Sequence, residues 1–408
     1  MTHTGSHRGR RQRGHSHGHP HEEADLDVGL VPRTILLASL AFAGLLTVVG
    51  GVLLWPDGAR AAELRGSVGF AAEGVTFPQA RVESVQPACA DRSEVKPTCG
   101  HITASLSDGP DEGQEATVTV PPEVSAAGLS RGDTIELLRR PAADGQPTDY
   151  SYFGIHRSGP LWTLSALFAL VVLGVARLRG FMALVGLGFA GLVIGFFVLP
   201  GLMTGEPAVP VALAGATAIM YVVLYSTHGL SIRTSAALAG TLGGLALTAV
   251  VGWWAVDSTH LTGITGEEGG LITTYLGDLD FQHLLIAAVI IAGLGVLNDV
   301  TITQASAVWE LRGASPGMSR ALLFASGMRI GRDHIASTIY TIVFAYVGTA
   351  LTLLIALSLF DRSLVGLVGT EEIAGEVVRS LTSSVGLVLA VPITTAIAVW
   401  TVPGPRES

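Results

Sequence analysis

Residues 284–296 read LLIAAVIIAGLGV, and residues 297–311 continue as LNDVTITQASAVWEL. The first run is apolar on every side, so its helix needs an apolar solvent all round. The second run keeps helical spacing but turns polar. Asp299, Thr303, Ser306 and Glu310 fall at i, i+4, i+7 and i+11, one stripe on one face. Asn298 lies beside the stripe and Gln304 follows Thr303. At about 1.5 Å per residue, Asp299 lies roughly 22 Å along a helix that starts at Leu284. That distance is within the thickness of a bilayer core.

Working outward, seven further apolar stretches approach the roughly 20 residues that a spanning helix needs. They are Thr34 to Leu54, Pro160 to Val175, Phe181 to Met203, Pro207 to Ser226, Ser235 to Val256, His334 to Phe360 and Leu381 to Thr401. The composition agrees. The 408 residues are 49% hydrophobic and only 14% charged, with 51 Gly. A soluble domain carries about 25% charge. The net charge of −9 and the lack of a domain-scale basic patch exclude a nucleic-acid partner. The partner of most of this surface is the lipid bilayer. The first apolar stretch is longer than the h-region of a secretory signal and reads as an uncleaved anchor.

Lys and Arg in short loops set the orientation. Arg8, Arg10, Arg11, Arg13 and Arg33 precede the first span. Arg177 and Arg179 follow the second, Arg233 the fourth, and Arg406 the eighth. Arg312, Arg320, Arg329 and Arg332 lie between the sixth and seventh. Eight spans put all of these on one side, the cytoplasmic one, with both ends of the chain. The opposite segments 204–206 and 257–280 carry Glu206, Asp257, Glu267, Glu268, Asp278 and Asp280 and no basic residue. The chain therefore divides into a cytoplasmic tail at 1–33, a first transmembrane helix at 34–55, an extracytoplasmic domain at 56–158, a seven-helix membrane domain at 159–402 and a tail at 403–408. The expected location is a bacterial plasma membrane.

The extracytoplasmic segment alternates with period two over Ala80 to Val85, His101 to Leu106, Ala116 to Val120 and Asp133 to Leu138. Ser107-Asp108-Gly109-Pro110 and Gly132-Asp133 separate some of these runs. Strands divided by turn formers at this spacing predict a small all-β barrel or sandwich, with an OB-like short barrel as one form of it. On the outer side disulfides persist, so Cys89 and Cys99 are predicted to bridge. Arg131-Gly132-Asp133 reads as a turn before a strand rather than an adhesion tripeptide. No cofactor is predicted. His15, His17, His19 and His21 alternate in the tail, where imidazoles can hold zinc, nickel or copper loosely. A solvated tail without that role is the alternative.

A second polar set leads into the seventh span. Arg329 and Asp333 are four apart and can pair on a helix. Arg332 and His334 sit beside them, and Asp333, Ser337, Tyr340, Thr341 and Phe344 extend the face upward. Asp299 is expected to pair with Arg329, Arg332 or His334. Residues 311–328 are compatible with an interfacial helix. Gly191 with Gly195, and Gly240 with Gly244, have the spacing of close helix contacts. Pro392 is expected to kink the eighth span.

Asp299-Val300-Thr301, the run Thr303 to Leu311, and Ile330-Gly331-Arg332-Asp333-His334-Ile335-Ala336-Ser337-Thr338 together resemble the signatures of the YibE/F-like membrane proteins, over about residues 158–402. The long outer domain is similar to the actinobacterial form of that family. The resemblance implies no substrate and no residue roles. No nucleophile, metalloprotease or phosphate-loop motif is present, so an enzyme is not expected.

Two functions remain. One is a permease or ion-coupled transporter of an unknown solute or ion. Its site would lie at the cytoplasmic half of the sixth and seventh spans: Asn298, Asp299, Thr303, Gln304, Ser306, Glu310, Arg329, Arg332, Asp333 and His334. The other is a non-transporting envelope scaffold or sensor whose outer domain binds a partner. The sequence leaves the oligomeric state open.

Overall fold

The computed structural model describes residues 28–67, 74–89, 99–142, 148–277, 279–359 and 363–405. The His-rich tail with His15, His17, His19 and His21 lies outside them. The chain forms two compact units. One comprises residues 1–54, 207–270 and 280–408, the other residues 55–206 and 271–279.

The second unit opens with α2 (Gly58–Ser67) and a five-stranded sheet. Its strands are β1 (Gln79–Val85), β2 (His101–Leu106), β3 (Glu115–Thr119), β4 (Thr134–Arg140) and β5 (Asp149–Ile155), with the short α3 (Pro122–Ser125) between β3 and β4. All pairings are antiparallel, in the order β3-β2-β1-β4-β5. β3 also approaches β5, so the sheet curls into a near-barrel. Alternation drives this curl. Ala80, Val82, Ile102, Ala104, Leu106, Val118, Ile135 and Leu137 point inward and are buried, while Arg81, Glu115 and Thr117 point out. Bulges at Val82–Ser84 and Glu136–Leu137 bend the ribbon. Four of the strands match the alternating runs of the sequence, and β5 does not. None of its residues is fully buried, so period two leaves little trace there.

One polar cluster bolts the curl. Asp111, in the β2–β3 turn, accepts from Arg139 Nε of β4 at 2.6 Å and from the Tyr150 hydroxyl of β5 at 2.5 Å. Arg131-Gly132-Asp133 is a turn, with Gly132 at φ +99° and Asp133 Oδ2 accepting from Ser130 N at 2.8 Å. Cys89 and Cys99 form a disulfide.

The same unit holds α4 (Ser158–Val193), a π-helical turn at Ile194–Val198 and α5 (Leu199–Met203). α4 is not one rod. Arg177 has φ 51° and ψ −126°, outside the helical region. A Cβ built on Gly180 would lie 2.5 Å from the Val172 carbonyl oxygen. Eight residues along a straight helix separate atoms by about 12 Å, so the chain folds back on itself at Arg177. The π turn precedes Pro200, which has no N–H to donate.

The first unit contains α1 (Leu30–Leu53), α6 (Ala208–His228), α7 (Ile232–Thr259), α9 (Phe281–Ala314), α10 (Arg320–Thr349), α11 (Leu351–Ser358), α12 (Leu364–Val368) and α13 (Glu371–Thr401). The short α8 (Gly266–Tyr275) crosses the unit boundary. Caps mark the starts: Ser231, Asp280 and Ser319 accept from the N–H of Thr234, His283 and Leu322. Six helices among the described residues are long and apolar enough to span a membrane, and the bent pair α10–α11 makes a seventh. That pair turns by 61°.

α7, α9 and α13 are the packed centre, and Gly and Thr make it so. A Cβ on Gly240 would strike the Thr394 side chain, and one on Gly386 would strike Thr248 Oγ1. One on Gly244 would lie 2.8 Å from Leu297 and 2.9 Å from Ala390. Each glycine is thus a notch filled by a side chain of the facing helix. Gly191 and Gly195 differ: nothing lies within 4 Å of either Cβ position. α13 continues as a helix through Pro392.

Candidate membrane-embedded polar site

The site is built on α9, α10 and α13. Gln304 of α9 is 3% exposed. Its Nε2 donates to the Gly327 carbonyl of α10 at 2.9 Å and to Thr395 Oγ1 of α13 at 2.7 Å. Gly331 makes room for this amide, since a Cβ there would lie 3.0 Å from Gln304 Oε1 and 2.6 Å from Val391. Thr301 of α9 and Thr241 of α7 share a hydroxyl–hydroxyl bond of 2.6 Å. Without the glycines at 327 and 331, α10 would stand off and the buried amide would lose its partners.

These contacts also fix the height of Asp299. It lies between Leu297, which meets Gly244, and Thr301, which meets Thr241. Gly244 in turn meets Ala390. Gly244 and Ala390 fall near the middle of the apolar stretches Ser235 to Val256 and Leu381 to Thr401. Asp299 is therefore level with the centre of its neighbours' apolar segments.

Asp299 and His334 come together, with Oδ2 and Nε2 3.7 Å apart. That is an ion-pair distance, too long for a hydrogen bond. Neither Arg329 nor Arg332 forms an ion pair among the described residues, and Arg329 and Asp333 do not pair. Arg329, Arg332, Asp333, Thr303 and Glu310 are exposed on the outside of the unit, and Ser306 is half buried. Asn298 Oδ1, His334 Nε2 and Trp309 Nε1 are buried without a hydrogen-bond partner. Of the ten residues in the sequence-predicted site, Asp299 and His334 meet, Gln304 is a buried packing group, and the charged remainder faces outward. The Arg pairing fails because α10 turns Gly327 and Gly331 toward α9 and α13, which puts Arg329 on the opposite side of α10.

Two features went unread in the sequence. Arg312 is 1% exposed and does not anchor at a surface. Its Nη1 donates to the carbonyls of Pro316 at 3.0 Å and Met318 at 2.7 Å, closing the α9–α10 turn. Residues 311–328 accordingly hold the end of α9, a turn and the start of α10 rather than a separate interfacial helix. The second feature is a cavity of about 600 Å³ at the opposite end of α9, α10 and α13. Leu285, Tyr346, Thr349, Glu372, Glu376 and Arg379 are among its walls. Arg379 pairs with Glu376 at 3.3 Å. Glu371 lines the same cavity and is already bonded, accepting from Thr262 N at 2.7 Å, Thr262 Oγ1 at 3.0 Å and Gly263 N at 2.9 Å. Carboxylates at the start of a helix read as loop charge in a sequence, and the cavity they line is visible only in three dimensions.

The family model for YibE/F-like proteins matches residues 164–404, which include every helix of this site. The chain belongs to the YibE/F-like family. No curated protein and no solved structure matches it. The match begins inside α4, so the near-barrel sheet stands outside the family region.

Proposed function

We propose that this chain is a multi-pass permease or ion-coupled transporter of the bacterial plasma membrane, with Asp299 and His334 as its ion-responsive pair. The observation that carries the reading is the height of that pair. An ionisable couple level with the middle of apolar helices is expensive to retain, and such groups characteristically serve ion or proton paths. The cavity lined by Glu372, Glu376 and Arg379 supports the same reading from the other end of the bundle. So does the 61° break between α10 and α11, whose flanking Thr349 and Ala350 line that cavity. Non-helical backbone within a membrane is tolerated where it lines protein or water, and broken helices build transporter sites.

The topology belongs to this proposal. Counting α4 as two spans about Arg177 and α10–α11 as one gives eight, with both termini and the Arg-rich turns cytoplasmic. The sheet, an OB-like barrel by its strand order and the helix between β3 and β4, is then extracytoplasmic, as is the cavity. Purified protein in liposomes loaded with a pH-sensitive dye tests the reading. Under an imposed potential the wild type conducts protons, and Asp299→Asn does not, at equal monodisperse yield. Equal proton flux in both proteins, or none in either across a panel of ion gradients, overturns it.

The partly exposed sheet, complete in its own core, supports a second reading as an envelope scaffold or sensor. Deleting 58–157 then abolishes the cellular phenotype while the helical part still inserts. An unchanged phenotype removes this reading.

A further inference from the structure

The cavity at the start of α13 is walled by residues of one compact unit alone. Its volume of about 600 Å³ is that of a small-molecule site, for which about 300–1,000 Å³ is usual. Glu372, Gly375, Glu376 and Arg379 fall at i, i+3, i+4 and i+7 of α13 and make one wall polar. Leu285 of α9, Tyr346 of α10 and Leu353 of α11 make the other largely apolar. The three carboxylates of the cavity differ in what they hold. Glu371 straps the Thr262–Gly263 loop to α13. Glu376 faces Arg379 at 3.3 Å. Glu372 lines the cavity and has no ion pair or hydrogen bond among the described residues. Gly375 adds an independent observation. It is buried, yet nothing lies within 4 Å of the position a Cβ would take. Glycine inside a helix is less stable than alanine. On the same helix Gly386 receives the Thr248 side chain. At Gly375 no group of the described protein fills the cradle.

We infer that this cavity binds an organic cation, with a protonated amine on Glu372 and an apolar body lying over Gly375 against Tyr346 and Leu353. Charge selects the cation. Three carboxylates line the cavity against one guanidinium, so its field is negative and concentrates cations. Arg379 Nε is buried without a hydrogen-bond partner, but an anion bound there would share the cavity with all three carboxylates. Spacing selects an organic ligand over a bare ion. Among the described residues no three His, Cys, Asp or Glu side chains gather closely enough to hold a metal ion. The apolar wall gives the body of such a ligand a surface to cover. The inference deepens the transport reading and rests on it in one respect, that the bound cation is then the solute. Binding itself is measured without flux.

The test is equilibrium binding to the purified full chain in lipid nanodiscs. The probes share one apolar body and differ in charge: phenethylammonium, the zwitterion phenylalanine and the anion phenylpropionate. Hexylammonium varies the body, and magnesium is the bare-ion probe. The ammonium probes bind saturably and the others do not. Glu372→Gln weakens that binding about tenfold, as loss of one partly buried charge partner does. Gly375→Leu fills the cradle with a good helix former. It abolishes binding while the melting temperature stays at or above that of the wild type. Should that variant fold poorly, Glu372→Gln still decides the matter. Tighter binding of the zwitterion, the anion or magnesium overturns the inference. So does no saturable binding of either ammonium probe, or binding unchanged in Glu372→Gln. Proton flux that depends on Asp299 without ammonium binding sinks this inference and leaves the transport reading standing. Ammonium binding without flux under any gradient does the reverse.

Discussion

His334 of α10 and Asp299 of α9 face each other at 3.7 Å from antiparallel helices, at the height where α7 carries Gly244. His334 is the more sheltered partner, with 32% of its side chain exposed. Replacing it removes the one basic side chain within ion-pair distance of Asp299 among the described residues. We expect His334→Ala to cut proton flux about as far as Asp299→Asn, and the double variant to lose no more than either alone, because the two act as one unit. Additive losses in the liposome assay would show that they act separately.

The amide of Gln304 ties three helices with two bonds. Gln304→Leu keeps the volume and strands the buried Thr395 hydroxyl and Gly327 carbonyl. A cost of about 1–3 kcal/mol is expected. Thermal unfolding in detergent measures it, with Gln304→Glu as the polar comparison. An unchanged melting temperature for Gln304→Leu would mean that water already serves those groups.

Gly386 and Thr248 interlock, so Gly386→Ala forces the Thr248 side chain aside. Overpacking of this kind costs about 1–3 kcal/mol. Thr248→Ala in the same chain should restore most of it, because the clash is with the hydroxyl. A double variant no more stable than Gly386→Ala would place the strain in the backbone.

The Asp111 bolt titrates. The Tyr150 hydroxyl, and after it the Arg139 guanidinium, hold its carboxyl below the usual range. A depressed folded value means that the stabilisation is present above the unfolded value of about 3.9 and is lost as pH falls through the folded one. Pepsin cleavage of the near-barrel in the full-length protein should therefore rise steeply below about pH 4. Asp111→Asn should be more susceptible throughout and show a shallower rise. Parallel profiles would remove Asp111 from the acid response.

The Cys89–Cys99 bridge closes a loop of sequence separation 10. Reduction, or Cys89→Ser with Cys99→Ser, is expected to cost the sheet about 2–4 kcal/mol. A thiol-reactive polymer should shift the unfolded chain on a gel only after reductant. A shift without reductant would show free thiols.

What could be read in advance follows from which forces are local. Apolar length alone finds the helices, and Ile102, Ala104 and Leu106 alternate so cleanly that β2 is legible to its ends. β5 is not, since none of its residues is fully buried, Tyr150 and Tyr152 included. The polar site was half legible. Asp299 stands out because carboxylates are rare amid apolar helices, but its partner depends on how α10 is rotated. Gly327 and Gly331 decide that rotation, and their meaning lies in Gln304 and Val391 across the interface. Arg312 was misread for a related reason. Its acceptors are backbone carbonyls of the following turn, which carry no side-chain signature.

The glycine notches of α7 and α13 have a mechanical consequence. A knob seated in a notch resists both sliding and rolling, so α7, α9 and α13 form a stiff keel. The compliance of the helical unit then resides in α10 and α11, the arm that leaves the keel at a 61° elbow. A paramagnetic distance ruler between two points on the keel should give one narrow distribution, while a ruler from keel to elbow should broaden or split when the ion gradient is reversed.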